Sequence, residues 1–333
     1  MTNLQSLNTF GISVNAAHFV EINTKEQIQN LCLSGQFINN PFLILGGGSN
    51  LLFTGDFQGW VFKNNLKGIN LIKEDSEFVW INVLGGEIWH ELVLFSVEKG
   101  WGGIENLALI PGSVGAAPIQ NIGAYGVEIK SVLESVELLE LTTGRLTTFD
   151  NQTCRFGYRD SIFKHEAKDK YFIVSVNFRL KKNPIPNIAY GDIQNVLLQK
   201  NISNPGIKDV CEAVISIRKS KLPDPAIIGN AGSFFKNPII SIQNLEKLKS
   251  EYPDIKFFNV DADFVKLPAA WLIEQAGWKG KRFGNVGVHD RQALVLVNYG
   301  NGTGAEILML ANKIIESVKQ KFGVILTPEV NII

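Results

Sequence analysis

Ile110-Pro111-Gly112-Ser113-Val114-Gly115-Ala116-Ala117-Pro118-Ile119-Gln120-Asn121-Ile122-Gly123-Ala124-Tyr125-Gly126 places four glycines and two prolines in seventeen residues that carry no charge. Glycine adds to the entropy cost of regular structure and proline removes a backbone donor, so this stretch is neither ordinary helix nor ordinary strand. Its small side chains let backbone N–H groups approach another molecule closely. A second stretch, Leu45-Gly46-Gly47-Gly48-Ser49-Asn50-Leu51-Leu52, makes the same offer directly after an apolar run. There the glycines suit a nest of N–H groups around a pyrophosphate, the alternative being a tight strand-to-helix turn. Ordered loops as long as 110–126 are usually functional. Two such cradles in one half of a chain predict a large phosphorylated cofactor, one loop on its pyrophosphate and the other along a flat ring.

The chain of 333 residues is long enough for two or three domains. Its formal net charge of zero gives no electrostatic footprint for nucleic acid or an anionic membrane surface. No apolar run reaches the roughly 18–20 residues of a membrane helix, and Met1-Thr2-Asn3-Leu4-Gln5-Ser6 lacks the basic start and apolar middle of a signal peptide. A cytoplasmic enzyme acting on small molecules is expected. Cys32, Cys154 and Cys211 are far apart and read as reduced thiols. His18, His90, His165 and His289 show no ligand spacing, so no metal site is expected.

Phe42-Leu43-Ile44-Leu45 reads as a buried strand entering the first glycine cluster, and Val79–Val83 as another. Glu87–Lys99 reads as a helix with Ile88, Leu92, Phe95 and Ser96 on its core face and Gly100 as its stop. Thr142-Thr143-Gly144-Arg145 joins two strands as a hairpin. Phe172, Val174, Val176, Phe178 and Leu180 alternate as one face of a half-buried strand. Lys181–Pro186 is a basic, proline-containing break and is expected to be the first domain boundary, followed by helices at 192–200 and 207–219 and a second break at Lys221–Pro225. The last third holds a helix at 267–276, a strand at 293–298 and an amphipathic helix at 305–322. The core side of that last helix is expected to carry Ile307, Leu308, Ala311, Ile314, Ile315, Val318 and Phe322.

Gly300-Asn301-Gly302-Thr303-Gly304-Ala305 fits the dinucleotide fingerprint G-x-G-x-x-A, with Glu329 as a candidate ribose-binding acid. The chain has no room after it for the remaining strands of a Rossmann half, which favours a turn. Arg159, among aromatics in Arg155–Ser161, can grip a carboxylate or phosphate bidentately, or pair with Asp160 at the surface. Ser233, between Gly232 and Phe234-Phe235, can donate a proton in a dry pocket or cap a turn; the nucleophile elbow G-x-S-x-G is absent. Glu329 stands alone in an apolar tail, where solvation is its ordinary state.

In order along the chain, Asn8-Thr9-Phe10, Gly46–Leu52, Ile110–Glu128, Tyr158-Arg159-Asp160-Ser161, Lys221-Leu222-Pro223, Gly229–Pro238, Gly284–Asn298 and Pro328-Glu329-Val330 resemble the UDP-N-acetylenolpyruvoylglucosamine reductase family. The resemblance covers nearly the whole chain. Ala189-Tyr190-Gly191-Asp192 resembles the subclass with a tyrosine-bearing loop over the substrate. The resemblance implies an α/β (α+β) protein with an FAD-binding region of the PCMH/vanillyl-alcohol-oxidase type and a C-terminal α+β substrate-binding domain. Residues 1–66 and 67–185 would be the two FAD-binding subdomains, 186–215 a loop and linker with Tyr190, and 216–322 the substrate-binding domain. Residues 323–333 would return near the active site.

The resemblance further implies non-covalent FAD, NADPH as co-substrate and a ping-pong reaction on a UDP-sugar enolpyruvyl ether in peptidoglycan precursor synthesis. Gly46, Gly47, Gly48, Ser49 and Asn50 would hold the pyrophosphate, and Pro111, Gly112, Gly115, Ala116, Ile119, Gly123 and Ala124 would line the flavin. Ala116-Ala117 replaces hydroxyl side chains found in some members, which removes any side-chain bond to the flavin there. Arg159 would stabilise charge on the substrate carboxylate, Ser233 would protonate C2, and Glu329 would orient the enol. Tyr190, Lys221 and Asn237 would contact the diphosphate and nucleotide, with Tyr125, Arg218 and Gln292 beside them. Lys221 also reads as a solvated helix end. A monomer is expected. The rival readings are another flavin oxidase or dehydrogenase on the same fold, and a non-catalytic nucleotide-binding regulator.

Overall fold

The computed structural model describes residues 1–38 and 40–333. The chain forms two compact units, one of residues 1–2, 16–48 and 58–220, the other of residues 3–15, 49–57 and 221–333.

The first unit is built on a five-stranded antiparallel sheet in the order Leu146–Asp150, Leu133–Glu140, Tyr171–Lys181, Phe78–Leu84, Ile69–Glu74. Phe172, Val174, Val176, Phe178 and Leu180 are fully buried, as their alternation predicts, but so is Ser175, and Ile173 is nearly so. The strand is central and covered on both faces, not half-buried. Its pairing shows why. Ser175 stands opposite Glu137 and Ile173 opposite Leu138, so Val174 is an extra residue in the ladder. A one-residue bulge sends all later side chains to the other face. Phe172 and Val174 therefore join a core with Ile22, Ile28, Phe37 and Phe62. Ile173, Val176, Phe178 and Leu180 join a larger one with Trp89, Leu92 and Val93.

The expected hairpin is present, with Gly144 at φ 68° and the Glu140 N–H bonded to the Arg145 carbonyl at 2.9 Å. The helix Trp89–Glu98 stops before Gly100, at φ 76°. Its buried side is Trp89, Leu92, Val93 and Ser96. Ile88, expected on that side, is the extended residue before the helix and is 52% exposed, because helical periodicity has not begun there. In a smaller sheet, Phe57–Asn64 lies between Asn15–Ile22 and Phe42–Leu45. Phe42–Leu45 and Phe57–Asn64 run parallel, Leu45 opposite Lys63, and Gly46–Gly48 leaves from the carboxyl end of the first. Helices Gly191–Gln199 and Ile207–Lys221 follow in the places expected.

The second unit holds a sheet in the order Gly229–Ser233, Val295–Asn298, Val286–Val288, Arg282–Phe283, and a long helix, Gly304–Phe322. Pro268 is the N-cap of the helix Ala269–Gln275, and Gly277 follows it at φ 77°. A capping box between Thr303 and Glu306 starts the long helix, and Gly323, at φ 66°, ends it. Its buried stripe is Ile307, Leu310, Ala311, Ile314, Val318 and Phe322. Leu310 replaces the expected Leu308 and Ile315, which are only half-buried because they fall at the edges of the stripe. The glycines before this helix serve packing. A Cβ on Gly304 would stand 1.7 Å from the Phe53 carbonyl oxygen, and one on Gly302 would stand 2.7 Å from Asn298 Oδ1. The G-x-G-x-x-A match is thus a turn pressed against neighbouring backbone.

Two substitutions at this helix start are expected to differ sharply. Thr303→Ala loses one cap, about 1 kcal/mol in urea unfolding. Gly304→Ala forces a methyl into a main-chain carbonyl and costs at least about 3 kcal/mol. Equal costs would show that the close approach to Phe53 is not a constraint.

Candidate active site

In the first unit the two glycine-rich stretches pack backbone on backbone. A Cβ on Gly47 would lie 2.6 Å from Gly112 Cα, and one on Gly46 would lie 2.5 Å from Ser113 Oγ and 3.4 Å from Ala116 Cβ. Any side chain here would push the loops apart, and Gly48 adds a left-handed turn at φ 65°. Lys63 reaches across and donates to the Gly46 carbonyl. In the second stretch, Val114, Gly115 and Ala116 spend their N–H groups on Glu87, Gly85 and Ser113 carbonyls, at 2.8, 2.8 and 3.1 Å. These three amides shape the loop and do not face a ligand. The narrow cradle of bare backbone beside a half-buried ammonium fits a dinucleotide diphosphate.

Tyr158-Arg159-Asp160-Ser161 grips the far end of the second stretch. Arg159 sits at φ 53° in a turn closed between Gly157 and Asp160, and its Nη2 donates to the Gly123 carbonyl at 2.6 Å. Ser161, 1% exposed, donates to the Ile119 carbonyl at 2.6 Å. Asp160 pairs with His165 at 2.8 Å. Asn121, fully buried at φ 46°, donates to Glu128 and to the Gly157 carbonyl at 3.0 and 2.9 Å. The guanidinium is therefore carried by a turn that is itself bonded to the loop.

Tyr125, at φ 49°, meets Tyr190 edge to face with ring centroids 5.3 Å apart. Its hydroxyl accepts from Arg218, and burial pushes its pKa up. Arg218 is deeply buried, which works against its charge, and Arg159 adds to that while the Tyr125 hydroxyl opposes it. Among the described residues its Nε has no hydrogen-bond partner. Two guanidiniums that repel each other, with the buried Arg218 Nε left over, make a cluster suited to an anion. Asn106, fully buried, holds the arrangement by donating to the Tyr125 carbonyl at 3.1 Å and the Asn187 carbonyl at 2.9 Å. Asn187 in turn accepts from the Ala189 N–H at 3.1 Å, beside Tyr190. At the other end, His90 Nδ1 accepts from the N–H of Leu109, a leucine held at φ 58° immediately before the loop.

In the second unit, Ser233 follows Gly232, at φ 69°, after a register shift between Asn230 and Ser233. Asn230 shapes the turn, accepting from the Gly232 N–H at 2.9 Å and donating to the Pro223 and Ile228 carbonyls. Phe234 and Phe235, 0% and 1% exposed, anchor the serine from behind. Gly229 lies so close to Phe10 that a Cβ would stand 2.2 Å from its carbonyl oxygen. The tail joins the same place. The Glu329 N–H donates to the Phe234 carbonyl at 2.8 Å, and the Lys236 N–H to the Thr327 carbonyl at 2.9 Å. Asn50 donates to the Glu329 carbonyl at 3.3 Å, and Asn331–Ile332 runs parallel to Leu51–Leu52. Asn237 Oδ1 accepts from the Ala269 N–H at 2.9 Å, and Gln292 is half-buried. Lys221 is exposed. Thus Ser233, Glu329 and Asn50 are drawn together within this unit, while Arg159, Tyr125, Tyr190 and Arg218 cluster within the other.

Burial holds all three thiols above their ordinary range, Cys32 and Cys211 at about 11 and Cys154 at about 12, so none is a ready nucleophile. Lys63, His90, Asn106, Asn121, Ser161 and Asn230 carry no expected role of their own in the sequence, although Asn121, Ser161 and Asn230 fall within its motifs. Lys63 carries a weak signal there, a charge directly after the apolar run Trp60-Val61-Phe62.

Residues 16–150 match the FAD binding domain, and residues 224–333 match the C-terminal domain of UDP-N-acetylenolpyruvoylglucosamine reductase. The chain is 49% identical to the UDP-N-acetylenolpyruvoylglucosamine reductase of Flavobacterium johnsoniae, over 99% of this chain and 98% of that protein. It is 51% identical to the one from Amoebophilus asiaticus, over 99% and 97%. This chain belongs to the UDP-N-acetylenolpyruvoylglucosamine reductase family. The family's crystal structure from Thermus caldophilus superimposes with a TM-score of 0.68 at 22% identity, covering 99% of this chain and 96% of that one, and so shares its fold. The expected organisation, an FAD-binding region followed by the reductase family's C-terminal domain, is the one found. Both glycine-rich stretches begin and end inside the FAD-binding match, and Ser233, Asn237, Gln292 and Glu329 lie inside the C-terminal one. Among the described residues no helix is long and apolar enough to cross a membrane.

His90 gives the loop a pH dependence. Burial lowers its pKa most; Lys219 and Arg218, from Ile207–Lys221, lower it further, and Glu91 on its own helix opposes them. The native state favours neutral imidazole, whereas the unfolded chain titrates near its ordinary value of about 6.5. The stability this provides is complete above about pH 6.5 and is lost as pH falls towards the lower native value. Melting temperature is expected to drop between about pH 7 and 5. His90→Asn, whose Oδ1 still accepts from Leu109, should flatten part of that drop. Parallel curves for the two proteins would remove His90 from the account.

Proposed function

We propose that this protein reduces UDP-N-acetylglucosamine enolpyruvate to UDP-N-acetylmuramate, as an NADPH-dependent flavoenzyme of peptidoglycan precursor synthesis. The observation that carries this is end-to-end similarity at about half identity to reductases of that name, joined to an FAD-binding region whose two loops form a bare-backbone cradle. When bound, FAD supplies a hydride to C3 of the enol ether, having received one from NADPH.

Every other task falls to the protein. Gly46–Gly48, Ser49 and Asn50 hold the pyrophosphate, and Pro111, Gly112, Gly115, Ala116, Ile119, Gly123 and Ala124 lie along the flavin. Hydride arrival at C3 builds negative charge on C2 and the adjoining carboxylate. Arg159 meets that charge; its hold on Gly123 and its turn support a fixed position, and a preorganised donor contributes roughly 3–4 kcal/mol. Ser233 then gives its hydroxyl proton to C2, which completes addition of a hydride and a proton across the double bond. Glu329 orients the enol. Tyr125, Tyr190, Arg218, Lys221, Asn237 and Gln292 hold the sugar nucleotide. The buried Arg218 Nε supports an anion there, and the Asn237 oxygen, committed to Ala269, leaves its NH₂ for the ligand.

We assign residues 1–66 and 67–185 as the two FAD-binding subdomains, supported by their separate sheets, and 216–322 as the substrate-binding domain. The protein acts in the cytoplasm as a monomer on small molecules.

Two measurements test the roles. With Ser233→Ala, NADPH should bleach the flavin at the parent's rate, while return of colour on adding the sugar nucleotide slows by at least about 10²-fold. Equal rates in both half-reactions would remove the serine from proton transfer. Lys221→Ala should raise KM for the sugar nucleotide by about tenfold, the loss of ~1.4 kcal/mol, with little change in kcat. A fall in kcat at constant KM would contradict a binding role.

A further inference from the structure

Lys63 is an odd occupant of its strand. Trp60 and Phe62 pack into the core around Phe37, and the alternation of the strand turns Val61 and Lys63 to the opposite face. There the ammonium donates to the carbonyl of Gly46, the first residue of the glycine loop. Burial weighs against its charge, Lys67 adds to that and Glu21 opposes it. Lys67 has its own carboxylate, Glu87, at 3.5 Å, whereas no carboxylate forms a salt bridge with Lys63 among the described residues. A partly desolvated ammonium is costly unless an opposite charge answers it. One neutral carbonyl uses one of its three donors and answers none of the charge. Residues 45–52 carry no charge either, so the loop alone offers a diphosphate only neutral groups, its backbone dipoles and the polar side chains of Ser49 and Asn50.

We infer that Lys63 is a counter-ion for the cofactor's pyrophosphate, standing behind the glycine loop and bonded to its first carbonyl. The inference rests on the FAD reading above and deepens it: the loop supplies the shape of the site, and Lys63 supplies its charge. The isoalloxazine ring gains nothing from this residue directly.

Flavin-stripped apoprotein, titrated separately with FAD and with riboflavin and followed by quenching of flavin fluorescence, tests this without any turnover. Lys63→Met is expected to weaken FAD about thirtyfold, ~2 kcal/mol at roughly 1.4 kcal/mol per decade, and riboflavin less than about twofold. Lys63→Arg should restore most of the FAD affinity. The parent's affinity for FAD should fall with added salt more steeply than that of Lys63→Met. Equal losses for FAD and riboflavin would mean that Lys63 only sets the loop's shape and would overturn the inference, as would unchanged FAD affinity in Lys63→Met. A parent apoprotein that takes up neither flavin would overturn the FAD reading itself, and that outcome shows in the parent alone.

Discussion

The contact between Gly47 and Gly112 governs the first unit. A Cβ at the former would stand 2.6 Å from the Cα of the latter, so the two loops can lie against each other only as bare backbone. One loop is fixed by the strand that ends at Leu45 and the other by bonds to Gly85 and Glu87. Their proximity brings together bare backbone and small side chains from two segments more than sixty residues apart. A single methyl there would push the two loops apart.

The second loop is costly to hold. Leu109, Asn121 and Tyr125 all adopt left-handed conformations, which cost of order 1–3 kcal/mol each when no glycine provides them. Side chains from elsewhere offset this: His90 on Leu109, Asn106 on Tyr125, Ser161 on Ile119 and Arg159 on Gly123. Each such bond nets about 0.5–1.5 kcal/mol, so several together are needed. Arg159 thereby holds its own loop, and its position is tied to the loop it holds.

The sequence revealed elements whose signal is local. Period-2 alternation marked Tyr171–Lys181, period-3.6 spacing marked the helix at 305–322, and glycine density marked both loops. It misled where the pattern depends on a partner. The bulge at Val174 arises from pairing with Glu137 and Leu138, and no periodicity within the strand announces it. Ile88 and Leu310 show the same limit at smaller scale, since the edge of a buried stripe is set by what packs against it. Arg159, Ser233 and Glu329 each left two readings open when taken alone, and only the ordered set of motifs favoured one. Asn106 and His90 were invisible: a buried asparagine and a surface one are the same letter, and only tertiary geometry brings Leu109 to an imidazole.

The second unit is assembled from residues 3–15, 49–57 and 221–333, and its short strand at Leu51–Leu52 finds its parallel partner at Asn331–Ile332. During synthesis on a ribosome these pieces emerge far apart in time. Most of the first unit, from residue 16 to residue 220, is available long before Thr54 can meet the carbonyl of Ile333. Leu51, Leu52 and Phe53, buried in the folded unit, are therefore synthesised long before the strand Asn331–Ile332 that pairs with the first two of them.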